Sequence, residues 1–178
     1  MDTSTSTSII VITAVGRDQP GIIAALAKTV FELGGNLDDA SMTRLHGAFA
    51  AMVAARLPEG KSEGEAREAL RPLASEMGLT VTVQAVPDAH SEAAPDTLLT
   101  VYGADKPGIV YRVAAALAEL GINITDMDTR LTGTADAPVY IMLLEAVVGE
   151  VDLAVATTLL AATLGVEIST QALESEAL

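Results

Sequence analysis

Gly16-Arg17-Asp18-Gln19-Pro20-Gly21 returns in this chain as Gly103-Ala104-Asp105-Lys106-Pro107-Gly108, at a constant offset of 87 residues. The agreement continues past the hexapeptide. Ile22, Leu33, Gly34, Asn36 and Asp39 fall opposite Ile109, Leu120, Gly121, Asn123 and Asp126. A repeat at this spacing reads as two copies of one domain of roughly 85 residues, a size that folds alone. The chain then divides into a disordered stub at 1–8, a first domain at 9–87, a linker at 88–95, a second domain at 96–172 and a tail at 173–178.

Each copy carries the same order of elements. Ile9–Val15 is a β-branched run ending at Gly16, the pattern of a buried strand. Pro20 suits the first turn of a helix, where its missing N–H costs nothing. Ile22, Ile23, Leu26, Val30 and Leu33 follow at helical spacing, and Gly34-Gly35 supplies the stop. Asn36–Leu45 and Ala48–Leu57 predict an antiparallel pair turning at His46-Gly47. Ser62 and Glu65 have the spacing of a capping box, opening a helix through Met77 that Pro72 should kink or shorten. Thr80–Val86 closes the unit as a fourth strand.

In the second copy Leu98–Tyr102 is the first strand and Pro107 to Leu120 the first helix. Asn123–Leu131 and Val139–Val148 form the hairpin, with a longer turn at Thr132 to Pro138. Asp152 caps a helix through Leu164, and Val166–Thr170 is the last strand. The order βαββαβ, twice, predicts an α+β chain of two ferredoxin-like domains, each an antiparallel sheet with both helices on one face. Right-handed crossovers leave the second and fourth strands at the edges, where pairing with another sheet is invited.

Composition narrows the function classes. There are no cysteines, which removes disulfides, thiolate chemistry and Cys-based zinc sites. Only five residues are aromatic, so the core is aliphatic, and Phe31, Leu33, Met42, Met52, Met127 and Met142 are read as filling it. The net charge of −14 is uneven: residues 1–87 carry seven basic and ten acidic side chains, residues 88–178 three and fourteen. No basic stripe exists to meet phosphate, which argues against direct nucleic-acid binding. No apolar run approaches the ~20 residues of a bilayer span, and the Ser/Thr-rich start lacks a signal core, so a cytoplasmic protein is expected. His46 and His90 have no neighbours at metal-ligand spacing. Walker, dinucleotide and nucleophile-elbow motifs are absent from the sequence. No catalytic residue, metal or cofactor is therefore expected.

Taken together, these residues resemble the ACT domain, a small amino-acid-binding regulatory module with the βαββαβ fold. The likeness rests on Asp-x-Pro-Gly-Ile (Asp18 to Ile22, Asp105 to Ile109), the apolar helix, and Leu-Gly-x-Asn with Asp three residues after the Asn. A chain made only of two such units is similar to the glycine cleavage system transcriptional repressor family. The stretches carrying that resemblance are Val-Ile-Thr-Ala-Val-Gly-Arg-Asp-Gln-Pro-Gly-Ile (11–22) and Gly-Gly-Asn-Leu-Asp-Asp-Ala-Ser (34–41).

The resemblance implies a domain-interface site for a small amino acid such as glycine or serine. The loop residues Asp18, Gln19, Pro20, Gly21 and Ile22, with Asp105, Lys106, Pro107, Gly108 and Ile109, would offer backbone donors to a carboxylate at a helix N-terminus. Asn36 and Asp39, with Asn123 and Asp126, would meet the ammonium from the second-strand start of a neighbouring unit. Plainer roles stay open beside these. Asp18 and Asp105 could simply cap a helix or turn, Asn36 and Asn123 could serve a helix stop, and Asp39 and Asp126 could face solvent. The function expected is amino-acid sensing by a homodimer that controls a DNA-binding regulator through protein contact. Alternatives are a regulatory subunit of a separately encoded enzyme of amino-acid metabolism, or a small ferredoxin-like enzyme such as an acylphosphatase.

Overall fold

In the computed structural model, residues 8–86, 93–134 and 137–173 are described. The chain separates into two compact units, residues 1–91 and 92–178. The expected stub at 1–7, most of the linker and the last five residues of the tail lie outside the described residues, as does His90. Ser8, read as stub, already pairs with Leu57.

The first unit runs β1 (Ser8–Arg17), α1 (Ile22–Glu32), β2 (Asn36–Leu45), β3 (Ala48–Leu57), α2 (Glu63–Met77) and β4 (Thr80–Val86). The second runs β5 (Thr97–Ala104), α3 (Ile109–Glu119), β6 (Asn123–Thr134), β7 (Ala137–Val147), α4 (Leu153–Leu164) and β8 (Glu167–Ala172). Each sheet is antiparallel, ordered β2-β3-β1-β4 and β6-β7-β5-β8, so the second and fourth strands are the edges. Two ferredoxin-like α+β units result.

Strand parity explains the core. Ile10, Ile12 and Ala14 of β1 and Ala51, Val53 and Ala55 of β3 are buried, and Ile22, Leu26 and Val30 of α1 close over them with Ala66 and Leu70 of α2. Leu99 and Val101 meet Val113, Leu117, Met142, Leu144 and Leu160 in the second unit. Met42, Met52, Met127 and Phe31 were expected in these cores but are exposed, Phe31 to 75%. Phe31 sits one residue past the buried Val30 and so points off the helix's inner face.

The local stops and starts follow side-chain chemistry. His46 and Gly47 both take positive φ (49° and 82°), the two-residue turn whose twist matches a hairpin. Ser62 and Glu65 complete a reciprocal capping box, and Asp152 accepts from the amides of Ala154 and Val155. Pro72 does not shorten α2, which runs on to Met77. Leu70 anchors that helix on its inner face, and Leu73 and Met77 pack against the same core. The loop expected at Thr132 to Pro138 is largely strand: β6 extends to Thr134 and β7 begins at Ala137.

Candidate functional site

Both copies of the repeated hexapeptide join the first strand of a unit to its first helix. Its leading glycine is needed for packing. A Cβ on Gly16 would stand 2.6 Å from Leu79 Cδ2 and 3.1 Å from the Gly78 carbonyl, and one on Gly103 would stand 2.9 Å from Val166 Cγ1. The strand end is thereby pressed against the turn that follows the second helix.

The closing glycine is left-handed. Gly21 (φ 95°) and Gly108 (φ 83°) are the N-cap residues of α1 and α3, and neither helix has a side-chain cap. Pro20 and Pro107 therefore precede the helix instead of occupying its first turn. Among the described residues, no acceptor meets the amides of Ile22, Ile23 or Ala24; the first bonded amide is that of Ala25, to the Gly21 carbonyl at 2.9 Å. The second unit is less open, because Ile109 donates to the Lys106 carbonyl at 3.2 Å, leaving Val110 and Tyr111. Free amides at a helix start carry partial positive charge and suit a carboxylate.

The acidic residues of the loops do not cap these helices. Asp18 Oδ2 accepts from Arg44 Nη1 at 3.1 Å, and the Asp18 amide donates to the Gly47 carbonyl at 3.1 Å, tying the loop to the β2–β3 turn. Gln19 Nε2 donates to the Met77 carbonyl at 2.7 Å, tying it also to the end of α2. In the second unit Leu131 stands where Arg44 does, and no ion pair of Asp105 is found among the described residues. Sequence reading missed all three ties. Their partners lie 26 to 58 residues away and leave no local signal.

Asn36 and Asp39 lie at the other end of the sheet. Asn36 pairs with Arg56 and Arg56 with Ile9, whereas the loop follows Arg17. At ~3.3 Å per residue the two places are about 25 Å apart within one unit. Asn123 and Asp126 stand in the same relation to Asp105–Ile109, since Asn123 pairs with Val147 and β5 runs away from that end. A single unit thus does not bring the two halves of the expected site together. Both edge strands carry an irregularity at the same step, between Leu37 and Asp39 and between Ile124 and Asp126. Such bulges re-aim the side chains beside them. Asn36 Nδ2 donates locally to the Leu37 carbonyl and Asp39 accepts from the Ala40 amide.

No three His, Asp or Glu groups among the described residues cluster as metal ligands. No described helix is long and apolar enough to cross a membrane.

Comparison with known proteins agrees with this architecture. Two family models, both described as "ACT domain", match residues 8–84 and 97–165. The UPF0237 protein of Methanopyrus kandleri is 37% identical over 75 residues, which is 42% of this chain and 83% of that one. The UPF0237 protein of Methanococcus maripaludis is 33% identical over 76 residues, 42% of this chain and 84% of that one. Among solved structures, a protein of unknown function from Galdieria sulphuraria superposes with a TM-score of 0.80 at 24% identity, covering 95% of this chain and 100% of that one. A candidate glycine cleavage system transcriptional repressor superposes with a TM-score of 0.72 at 20% identity, covering 95% and 99%. At these identities the structural likeness establishes the fold.

Proposed function

Because this chain belongs to the ACT-domain family and carries two such domains in tandem, we propose that it is a non-catalytic sensor of a small amino acid such as glycine or serine. It controls a DNA-binding regulator by protein contact, a reading supported by the name of a candidate transcriptional repressor that shares the fold and by the lack of a basic stripe in this sequence. One observation carries this reading: left-handed Gly21 opens α1 with no side-chain cap, and three successive amides are left without a protein acceptor among the described residues. A carboxylate placed there gains hydrogen bonds and a favourable dipole, and Gly21 presents no side chain to block its approach.

The ammonium of the same ligand takes Asn36 and Asp39 of another module, because one unit holds them too far from its own loop. A homodimer supplies such a module, and the exposed edge strand β2 is where it docks. Binding shifts the equilibrium only because the bridged arrangement is favoured over the unbridged one. The acidic balance of −14 supports a reading in which a partner, and not this chain, contacts DNA. Within the cytoplasm such a partner is within reach.

Calorimetric titration of the whole chain with glycine, serine and the other amino acids is the test. Heat with one or a few of them is expected, and silence across the set would refute the reading. Gly21→Ala is a second expected result. A Cβ at φ 95° is strained, costing about 1–2 kcal/mol of stability, and it enters the space left for the ligand. Denaturation should show the modest loss, and titration a disproportionate fall in affinity.

A further inference from the structure

The second helices of the two units present opposite chemistry to their surroundings. The exposed positions of α2 include Glu65, Arg67, Glu68, Arg71 and Glu76, the solvated outer face expected of a helix lying on a sheet. α4 reads Leu-Ala-Val-Ala-Thr-Thr-Leu-Leu-Ala-Ala-Thr-Leu and carries no charge in its twelve positions. Ala156 and Leu160 take its inner face. Val155 (65%) and Leu159 (66%) stand exposed one turn apart, beside exposed Ala154, Thr158 and Ala162. A helix apolar on all sides belongs in an interior or against a partner.

The threonines do not tie this face to water. Thr157, Thr158 and Thr163 donate their hydroxyls to the carbonyls of Leu153, Ala154 and Leu159, at 2.6 to 2.8 Å. Covering the helix therefore strands no side-chain donor. On α3, which packs beside α4, exposed Tyr111 and Ala118 fall on the side away from buried Val113 and Leu117. Each helix is about 18 Å long and 10 Å wide, so the pair presents a footprint of roughly 360 Å². That size suits a reversible contact and not an obligate one. Charge decides what covers it. Residues 88–178 carry three basic and fourteen acidic side chains. A cationic partner would seek those carboxylates, which α4 lacks. Anionic lipid is repelled, and an interfacial helix needs the Lys or Arg that α4 also lacks. A charge-free face on a strongly acidic chain lets an equally acidic chain approach without opposing carboxylates.

We propose that α4 is a self-association face, on which a second copy of this chain seats its own α4, antiparallel about a two-fold axis near Thr158 and Leu159. Those residues are the midpoint of the helix, so each meets its own copy. The antiparallel sense keeps Glu150 and Asp152, at the helix start, about 18 Å from their counterparts. That is beyond the ~8 Å over which salt leaves charges in communication. It also sets each helix start beside the partner's helix end, where the dipoles are opposite. The contact is separate from the edge strand β2 and needs no amino acid.

Sedimentation velocity of the full chain, from micromolar to near-millimolar protein, tests it. Wild type is expected to grow in size with concentration, and more readily at high salt, which screens the like charge of the copies. A contact between opposite charges would weaken instead. Leu159→Glu and Leu159→Lys should each weaken association about tenfold or more, since each puts like charges face to face. An equal mixture of the two variants should restore it, which misfolding cannot do. Phe31→Glu makes the same change at an exposed apolar site of the first unit and should leave association as it is. A dimer held through β2 keeps its size in every variant, so loss of the α4 contact is read as loss of the next larger species. A size that ignores concentration, a residue-159 variant that associates like wild type, or a mixture that stays apart overturns the proposal.

Discussion

Leu26→Ala is expected to cost the first unit about 2–5 kcal/mol, the range for emptying a well-packed leucine site. Leu26 lies mid-way along α1, 1% exposed, at the centre of the cluster joining β1, β3 and both helices. Truncation removes the side chain's transfer energy and leaves a cavity that rigid strands on one side cannot fill. A unit of this size is stable by only roughly 5–10 kcal/mol, so the loss is a large share of the total. The consequence reaches the site, because the free amides of α1 stay in place only while its inner face is docked.

The chain offers a convenient readout. Its three tyrosines, Tyr102, Tyr111 and Tyr140, all lie in the second unit, so tyrosine fluorescence follows that unit while far-ultraviolet circular dichroism follows both. Urea unfolding watched by circular dichroism should show the early loss. Lys28→Ala is the control on the same helix. It removes an exposed i,i+4 pair with Glu32 and should change stability by about 0.5 kcal/mol or less. Equal effects from the two substitutions would contradict this account of the core.

Much of the fold was legible in residue order, and the failures have physical causes. The hairpin Asn36–Leu45/Ala48–Leu57 was readable to the residue, because His46-Gly47 is a strong signal for a tight turn with positive φ. Its counterpart was not, since Gly133 and Pro138 both look like loop. They pair with each other beyond the end of β5, so Pro138 has no second neighbour to deprive of a hydrogen bond. Methionine burial turned on strand parity. Met142 registers with Val101 on the helix-covered face, while Met52 registers with Thr13 on the other, and hydrophobicity alone does not separate them. The candidate loops were found because they are duplicated. The distance from the loop to Asn36 follows from β1 and β2 running parallel with β3 between them, an order that βαββαβ already implies.

Asp96 shows what duplication conceals, since the residue 87 positions earlier is Ile9 and the first copy gives no hint of a role. Placed just before β5, its carboxylate accepts from the amides of Val148 and Gly149 and from Thr97 Oγ1, at 2.8 to 3.2 Å. Its own amide donates to the Ala146 carbonyl and its carbonyl accepts from the Leu173 amide. One residue thus ties the start of β5 to the end of β7 and to the segment just past β8. Asp96→Ala is expected to destabilise the second unit by about 1.5–3 kcal/mol, the scale for hydrogen bonds to a charged group. Loss should appear in tyrosine fluorescence during urea unfolding. The bond from Gly149, with those from Thr97 and Val148, holds the carboxyl of Asp96 below its ordinary value of 3.8. A depressed native pKa means that protons bind the unfolded chain more readily. The stabilisation is therefore complete above about pH 4 to 5, where the unfolded carboxyl is ionised, and falls away as acid carries the pH below 4 and through the native value. Wild type and Asp96→Asn should accordingly differ in urea midpoint at pH 6 and converge as acid carries the pH through the native value of the carboxyl. A gap of constant size across that window would mean that the charge of Asp96 contributes nothing to the clasp.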